Sequence, residues 1–325
     1  MEHVDRPPRP LRARVTAPSS GAVPAGFERI GLAGVLDGRG GRGRRARATR
    51  APGALVARAW RWTLLDGWSP RWWPQGVAIG AHDGAPVALV SWFAQPWGWR
   101  RDRGARVTVV DLRDARRPRY RHVELVTLSP EGALAPVPIH AGGIAWTSDG
   151  ARLYAAATFG GIREFRLADL ARAGRRLVLP QHAEFAAEGE PRERMRYSFV
   201  SVASPGELVA GEYRTDDRGR IARLRVDDDH AEIVELFRPG IVAMQGVALD
   251  AGVWSISASR GDRIGGDLWQ GQRNALVRHA GALPVGPEDL AHDAAGRLWG
   301  VSEFPRRRWL YELSATTASA AAAAR

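Results

Sequence analysis

The sequence predicts an all-β protein of the β-propeller class, and three observations support this prediction. Apolar and polar residues alternate along many short segments, such as residues 85–93 (APVALVSWF) and 232–237 (EIVELF). Gly, Asp and Pro turn residues separate these segments, and the long helical segments that a parallel sheet needs are missing. The strand pattern also recurs along the chain at a spacing typical of propeller blades.

Each repeat begins with a polar residue, a small or acidic residue and an apolar residue. The second positions of five successive units are Gly76, Gly143, Ser198, Gly246 and Asp289, and they lie 67, 55, 48 and 43 residues apart. Two further strands follow each start, and a fourth strand is identified in the first three units. Five blades are therefore predicted, and six is the alternative if residues 22–65 hold a further blade.

The two chain ends explain how the ring closes. The last unit lacks an outer strand, because only the Ala-rich residues 314–325 follow it, whereas the strand at 54–65 has no unit of its own. We predict that this N-terminal strand completes the last blade, since closure removes exposed sheet edges. The predicted propeller spans residues 54–313.

The segments that flank the propeller are predicted to be disordered. Residues 1–53 are rich in Arg, Gly and Pro and too poor in apolar residues to offset the entropy of ordering. The net charge is +12, but residues 1–62 hold 13 Arg against four acids, so the remaining chain is close to neutral. Nucleic-acid binding is therefore expected only through the Arg/Gly segment at 38–50.

The composition excludes several kinds of chemistry. All 47 basic residues are Arg and there is no Cys, which excludes Schiff-base lysines, Walker-type phosphate loops, disulfides and thiolate metal sites. The His residues lack the helical zinc spacing, and no nucleotide fingerprint is present. We therefore expect neither a metal nor a cofactor.

The sequence also bears on location. No run of 18 apolar residues is present, so no membrane span is predicted. The N-terminus lacks the apolar segment of a signal peptide, which predicts a cytoplasmic protein as written, or a secreted one if the start codon is assigned wrongly.

A candidate site follows from the repeat, because the first strand of each propeller blade lines the central channel. The five equivalent polar positions are Gln75, Gly142, Tyr197, Gln245 and Glu288. Convergent polar groups at a concave axis predict a ligand site, to which we add the neighbouring His140 and Trp73. The alternative is that these side chains only satisfy backbone groups and channel water.

The ends of the second strands and one loop contribute further candidates: Trp92, Glu212, Arg260, Glu303 and, in the first-blade insertion, Trp97. Glu303 and Glu288 fall in one blade, and neighbouring carboxyls can have separated pKa values suited to acid/base work. The alternatives are that Glu212 and Glu303 pair with Arg, and that Trp97 only packs its loop onto the blade.

The repeat starts also resemble those of a group of actinobacterial, mostly secreted, five-bladed propeller-like proteins. The matching motifs are Pro74-Gln75-Gly76, His140-Ala141-Gly142-Gly143-Ile144, Tyr197-Ser198, Gln245-Gly246 and Glu288, over residues 54–313. The resemblance implies the fold and the polar ring, and it implies no reaction.

These features predict an enzyme of the lyase, cyclase or hydrolase type. Its substrate is expected to be a small organic ligand, aromatic or polycyclic, that lies beneath the Trp-rich loop inserted in the first blade at residues 95–105. The predicted catalytic residues are Glu288, His140 and Glu303. The predicted substrate-binding residues are Gln75, Tyr197, Gln245, Trp73, Trp92, Trp97, Glu212 and Arg260. The alternative is a non-catalytic propeller that binds a protein or glycan, and a monomer is expected in either case.

Overall fold

The computed structural model describes residues 11–16, 26–46, 53–96, 104–129, 131–187 and 194–314. Its helices are short: α1 (Gly31–Leu36), α2 (Leu64–Trp68) and a 3-10 turn at Leu167–Asp169. The first strands along the chain are β1 (Leu11–Val15), β2 (Phe27–Arg29), β3 (Gly41–Arg42), β4 (Arg44–Arg45) and β5 (Val56–Arg61).

The later strands form antiparallel meanders, here called blades 1 to 5. Blade 1 contains β6 (Trp72–His82), β7 (Ala85–Ala94), β8 (Ala105–Asp111) and β9 (Arg119–Leu128), extended by β10 (Leu134–Pro136). Blade 2 contains β11 (Ile144–Trp146), β12 (Arg152–Ala156), β13 (Ile162–Arg166), β14 (Ala171–Ala173) and β15 (Arg176–Ala186). Blade 3 contains β16 (Phe199–Ser204), β17 (Glu207–Gly211), β18 (Ile221–Val226) and β19 (His230–Phe237).

The last two blades have the same order. Blade 4 contains β20 (Met244–Asp250), β21 (Val253–Ala258), β22 (Asp267–Gly271) and β23 (Val277–His279). Blade 5 contains β24 (Pro287–His292), β25 (Leu298–Ser302) and β26 (Trp309–Leu313). Its fourth strand is β5, because Trp309 pairs with Arg61 and Leu313 with Val56. The predicted closure by an N-terminal strand is confirmed.

The first strand of each blade lies beside the first strands of its two neighbours, so β6, β11, β16, β20 and β24 form a ring around one axis. Small residues permit this close approach. A Cβ atom added to Gly143 would lie 2.4 Å from the amide nitrogen of Val200, and one added to Gly246 would lie 2.5 Å from the Cα of Asp289. The structure is therefore a β-propeller, as predicted.

Strand direction defines two ends of the axis. The inner strands all begin at one end, here called the upper face, and finish at the other, the lower face. Strands alternate in direction, so the loops before the first strand and between the second and third strands of each blade lie on the upper face. In the described residues these loops include 62–71, 157–161, 212–220, 238–243, 259–266 and 303–308.

The core lies between the blades and is made of alternate residues of their strands. Val77, Val87, Leu89 and Val90 in blade 1 are fully buried, as expected for β-branched and apolar residues on a strand whose two faces are both covered. Burial of this kind is the main favourable term that holds neighbouring blades together.

The prediction of a disordered extension over residues 1–53 is wrong for the residues that the structure describes there. Strand β1 pairs with β15 and β19, and Leu11 is buried between blades 2 and 3. Leu32 and Val35 of α1 pack into the core of blades 1 and 2. A few apolar residues at the right positions outweigh the low average hydrophobicity of this segment. The predicted tail at 314–325 lies outside the described residues from 315 onward.

Candidate functional site

A cavity of about 360 Å³ opens at the upper end of the axis. All five blades contribute to its wall, which consists of Gln75, His140, Gly142, Thr158, Ser198, Tyr213, Gln245, Glu288 and Glu303. A volume of this order suits a small organic molecule. Among the described residues, this wall contains two carboxyl groups, two amides and one imidazole, and none of its side chains is an arginine.

The two carboxyl groups belong to adjacent strands of blade 5. Glu288 lies at the start of β24 and Glu303 immediately after β25, and the pairing of Pro287 with Ser302 brings the two residues together. The two carboxyl groups lie close enough for each to shift the pKa of the other. Neighbouring carboxylates repel each other when both are ionised, so this arrangement favours a state in which one of them is protonated.

Burial governs the protonation of this pair. The Glu288 side chain is almost completely buried, and burial together with the nearby Glu303 charge raises its pKa well above the usual range. Burial raises the pKa of Glu303 to about 7. The two groups titrate as a coupled pair, and a pair with raised pKa values can both accept and donate a proton near neutral pH.

Each carboxyl group is held by an amide from a neighbouring blade. Gln75 Nε2 of blade 1 donates to Glu303 Oε2 at 3.1 Å and to the carbonyl of Pro74 at 2.9 Å. Gln245 Nε2 of blade 4 donates to Glu288 Oε1 at 3.3 Å. The amides flank blade 5 on both sides, so they fix the orientation of the carboxyl pair.

His140 lies on the opposite side of the wall, in the segment that leads into β11. Its ring centroid is 4.0 Å from that of Phe93. His140 is more than a third exposed, but the surrounding protein desolvates its imidazole and lowers its pKa to about 4, so the ring is neutral near pH 7. In this state one ring nitrogen donates a hydrogen bond and the other accepts one, which suits the orientation of a polar substrate group.

Arg308 supports the carboxyl pair from behind. Its Nε donates to the backbone carbonyl of Glu303 at 2.7 Å, and its Nη1 donates to the carbonyls of Asp66 and Ser69, each at 2.8 Å. Burial lowers the pKa of Arg308 to about 10, and its charge opposes the rise in the pKa of Glu303. Sequence reasoning missed this residue, because the run at 306–308 has the composition of an exposed basic turn.

A buried network anchors the other end of this arrangement, on α2. Asp66 accepts hydrogen bonds from Tyr120 at 2.7 Å and from the buried Arg106 at 3.0 Å, and its Oδ1 lies 3.0 Å from His122 Nε2. Hydrogen bonds and the nearby positive charge keep the pKa of Asp66 below its usual value despite its burial. Arg308 donates to the backbone carbonyls of both Asp66 and Glu303, so it connects this network to the carboxyl pair.

Asp289 lies on the axis, beside Glu288. Its Oδ2 accepts backbone N–H bonds from Val77 and from Ile144, each at 3.2 Å, so one carboxyl group ties together the inner strands of blades 5, 1 and 2. The side chain is fully buried, and burial raises its pKa well above the usual range. Its role is to hold the strands rather than to face the cavity.

Blade 3 places a different residue on the wall from the one predicted. Tyr197 is only 1% exposed and packs in the core between blades 2 and 3, where its backbone pairs with Thr158. The next residue, Ser198, lines the cavity instead. Because side chains alternate along extended backbone, an alignment error of one residue moves the predicted side chain to the other face.

Two of the three tryptophan candidates, Trp73 and Trp92, do not line the cavity. Trp92 is fully buried against Trp62 and Arg106. Trp73 donates its indole N–H to the carbonyl of Pro70 at 3.0 Å and packs edge-on against Phe304. Trp97 lies outside the described residues.

Glu212 and Arg260 also have other partners. Glu212 is buried and accepts two hydrogen bonds from the guanidinium of Arg220, at 2.8 and 2.9 Å, and one from the Arg196 amide. Arg260 lies 3.8 Å from Asp267 on an upper loop. The structure therefore brings together Gln75, His140, Gln245, Glu288 and Glu303, and adds Thr158 and Tyr213, which follow second strands as the equivalent positions of other blades do.

A second cavity, of about 570 Å³, opens at the lower end of the axis. Its wall is more apolar and includes Trp146, Leu249 and Trp299. Of its two carboxylates, Asp293 is bound to Arg297 at 2.8 Å and to the indole of Trp299 at 3.0 Å. Its described residues include no pair of interacting carboxyls like Glu288 and Glu303, so the upper cavity is the candidate active site.

Two further properties of the described residues bear on the site. Among them, no three His, Asp or Glu side chains are grouped closely enough to hold a metal ion. Neither of the two α-helices described above has the length and apolar character needed to cross a bilayer.

Comparisons with known proteins add little to this geometry. No protein-family model and no curated protein matches the sequence. Among solved structures, the chain is similar to the β-propeller domain of Swd1 from Myceliophteria thermophila, at 15% identity and a TM-score of 0.34, over 69% of this chain and 67% of that one. A glucose dehydrogenase matches at 11% identity and a TM-score of 0.39, over 89% and 99% of the two chains. The β-xylosidase RS223 matches at 12% identity and a TM-score of 0.43, over 78% of this chain and 95% of that one. Similarity this weak carries no argument about function.

Proposed function

We propose that this protein is an enzyme that performs acid/base chemistry on a small organic substrate in the upper axial cavity. The observation that carries the proposal is the placement of Glu288 and Glu303 side by side in the cavity wall, where their carboxyl groups interact. A pair of neighbouring carboxyls with one of them protonated contains a general base and a general acid at the same place.

The wall also limits the substrate. The ionisable side chains among its described residues are the carboxyl pair, Tyr213 and the neutral imidazole of His140, and none of these residues is an arginine. An anionic group such as a phosphate would find no cation among them. We therefore propose a neutral or cationic substrate with hydroxyl, carbonyl or amine groups, which Gln75, Gln245 and Tyr213 can bind by hydrogen bonds.

The spacing of the carboxyls narrows the reaction. Glycoside hydrolysis by two carboxyl groups needs them roughly 5–9.5 Å apart, on opposite sides of the scissile bond. Here the two groups lie on adjacent strands of one blade and interact with each other. The pair suits a reaction in which one carboxylate removes a proton from a water molecule or a substrate and the other carboxyl returns one to the leaving or adding atom. Such a step is hydrolysis, elimination or cyclisation, and it needs no oxidant or reductant.

The test is native mass spectrometry of the purified protein, incubated with an extract of the producing cells. Wild type is compared with Glu288→Gln, which keeps the shape of the side chain and removes its acid. The control is Glu124→Gln, a surface residue whose side chain is 42% exposed. We expect a small-molecule adduct on Glu288→Gln, and loss of that compound with appearance of a product in the wild-type and control samples.

The contrary results are equally clear. An adduct on all variants with no change in any compound would mean that the cavity binds without catalysis. This is the behaviour of a non-catalytic propeller that recognises a glycan or another partner. The absence of any adduct, together with unchanged melting temperatures, would show that the cavity holds no ligand from the extract and would overturn the proposal.

A further inference from the structure

The upper face carries most of the large apolar side chains that the described residues expose. Nine such side chains are more than a third exposed, and seven of them lie in upper-face loops. Leu64, Leu65 and Trp68 lie on α2, and Phe159, Tyr213, Val242 and Ile264 lie on four other loops. The remaining two, Val15 and Val277, lie on outer strands, and none of the nine lies in a lower-face loop. Single exposed apolar residues are ordinary, but this concentration at one end is not.

The same loops are basic. Their exposed charged residues include six arginines and two aspartates, Asp217 and Asp262. The arginines are Arg218, Arg238, Arg260, Arg263, Arg306 and Arg307. The Arg306 guanidinium lies 4.4 Å from the centre of the Trp68 ring, so positive charge and an exposed aromatic surface stand side by side. The lower-face loops carry exposed Arg and Asp in similar numbers, and four further exposed arginines, Arg39, Arg42, Arg44 and Arg45, lie on the N-terminal segment that bonds to the lower-face loop at 113–118.

We infer that the upper face docks on a membrane surface that contains anionic lipid. Separate loop tips around the rim carry the apolar side chains, and the centre of the face is the polar cavity. A protein interface has the opposite arrangement, with an apolar centre and a polar rim. A ring of apolar tips next to arginines matches a bilayer surface, where apolar side chains enter the acyl boundary and basic residues meet anionic headgroups.

This docking would turn the axial cavity toward the bilayer. The inference does not depend on catalysis, since it rests on the rim and not on the carboxyl pair. A substrate that partitions into the interface would reach the cavity without crossing bulk water, and a non-catalytic binding site would gain the same access.

Vesicle sedimentation tests the inference with the full-length chain. Vesicles of phosphatidylcholine alone are compared with vesicles that also contain phosphatidylserine, at low and at high salt. The test variant is Leu65→Ser with Trp68→Ser, and the control is Val277→Ser, whose side chain is 59% exposed on an outer strand. We expect wild type and control to bind the anionic vesicles. We expect the double variant to bind them about a hundredfold more weakly, since each of the two inserted apolar side chains contributes about a factor of ten.

Part of the binding should also persist at high salt, because salt does not screen the insertion of apolar side chains. Binding that disappears completely at high salt and is equal in all three proteins would assign it to the Arg-rich N-terminal residues and overturn the inference. Failure of wild type to bind any vesicle would also overturn it. If the double variant instead abolishes self-association measured by sedimentation velocity, the face is a protein interface and not a membrane surface.

Circular dichroism and thermal melting keep the result interpretable, since both substituted side chains are largely exposed and their removal should leave the fold intact. A second measurement uses lipids brominated near the headgroup end of the acyl chain. Quenching of tryptophan fluorescence in wild type, reduced in Trp68→Phe, would locate Trp68 in the bilayer. Equal quenching of the two proteins would place Trp68 outside it and contradict the inference.

Discussion

At the scale of single residues, the environment of Glu288 and Glu303 determines their chemistry. Both are ordinary acids in sequence, and each becomes unusual because a strand pairing places it next to the other in a buried wall. Gln75 and Gln245 come from other blades and donate to them. A sequence can suggest that two carboxyls fall in one blade, but only folding brings them close enough to shift each other's pKa.

The raised pKa of Glu303 makes a prediction about stability. Its pKa rises from 4.5 to about 7 on folding, so the native state keeps a proton that the unfolded state releases above pH 4.5. The unfolding free energy should therefore fall as pH rises through this window, and Glu303→Gln should remove this component. We expect the fall between pH 5 and pH 8 to be about 2 kcal/mol smaller in Glu303→Gln than in wild type.

Urea unfolding at the two pH values measures this difference. Glu124→Gln serves as the control and should follow the wild-type pH dependence. An unchanged pH dependence in Glu303→Gln would show that Glu303 titrates normally in the folded protein. Glu303 would then hold no proton near neutral pH.

At the scale of elements, alternation of apolar and polar residues was sufficient to predict the strands of the blades. It failed in two instructive places. In blade 3 the register was shifted by one residue, and Ser198 rather than Tyr197 faces the cavity. Near the N-terminus, composition alone suggested disorder, whereas Leu11 and Val35 are buried by blades that are distant in sequence. Neither outcome can be read locally, because each depends on which partner strand lies opposite.

The connection between the short helix α2 and blade 5 should contribute to stability, and it depends on Arg308. Arg308→Gln removes donors from three carbonyl groups, those of Asp66, Ser69 and Glu303. We expect a loss of about 3 kcal/mol in unfolding free energy, since unpaired buried carbonyls are costly. We also expect the Glu303 pKa to rise further, because the opposing positive charge is gone.

The neighbouring Arg307→Gln is the matched control, since Arg307 is exposed and donates to one loop carbonyl, that of Asp262, at 2.8 Å. Chemical denaturation gives the stability of both variants, and the pH dependence of that stability reports on Glu303. If Arg308→Gln and Arg307→Gln lower the free energy of unfolding by the same amount, the hydrogen bonds of Arg308 between α2 and blade 5 do not contribute to stability.

At the scale of the whole molecule, the ring is what makes the axis a site. Five inner strands meet at the axis, so residues more than two hundred positions apart, such as Gln75 and Glu303, come within 3.1 Å of each other. The sequence could predict this convergence because the repeat marks equivalent positions. It could not predict depth, burial or the supporting Arg308, because these depend on loops that differ from blade to blade.

Closure of the ring should depend on strand β5. Strand β5 pairs with β26 along residues 309–313, and its Ala59 and Trp60 are buried in the cores on either side of blade 5. A chain that starts at residue 63 would leave β26 as an open edge and lose these contacts. We expect this truncated chain to aggregate, or to melt more than about 10 °C below the full-length chain, because an unpaired edge strand invites pairing with other chains.

A chain that starts at residue 11 is the control, since it keeps every described strand, and it should match the full-length chain. Size-exclusion chromatography and calorimetry measure both effects. Equal melting temperatures for the three chains would mean that the propeller closes without β5.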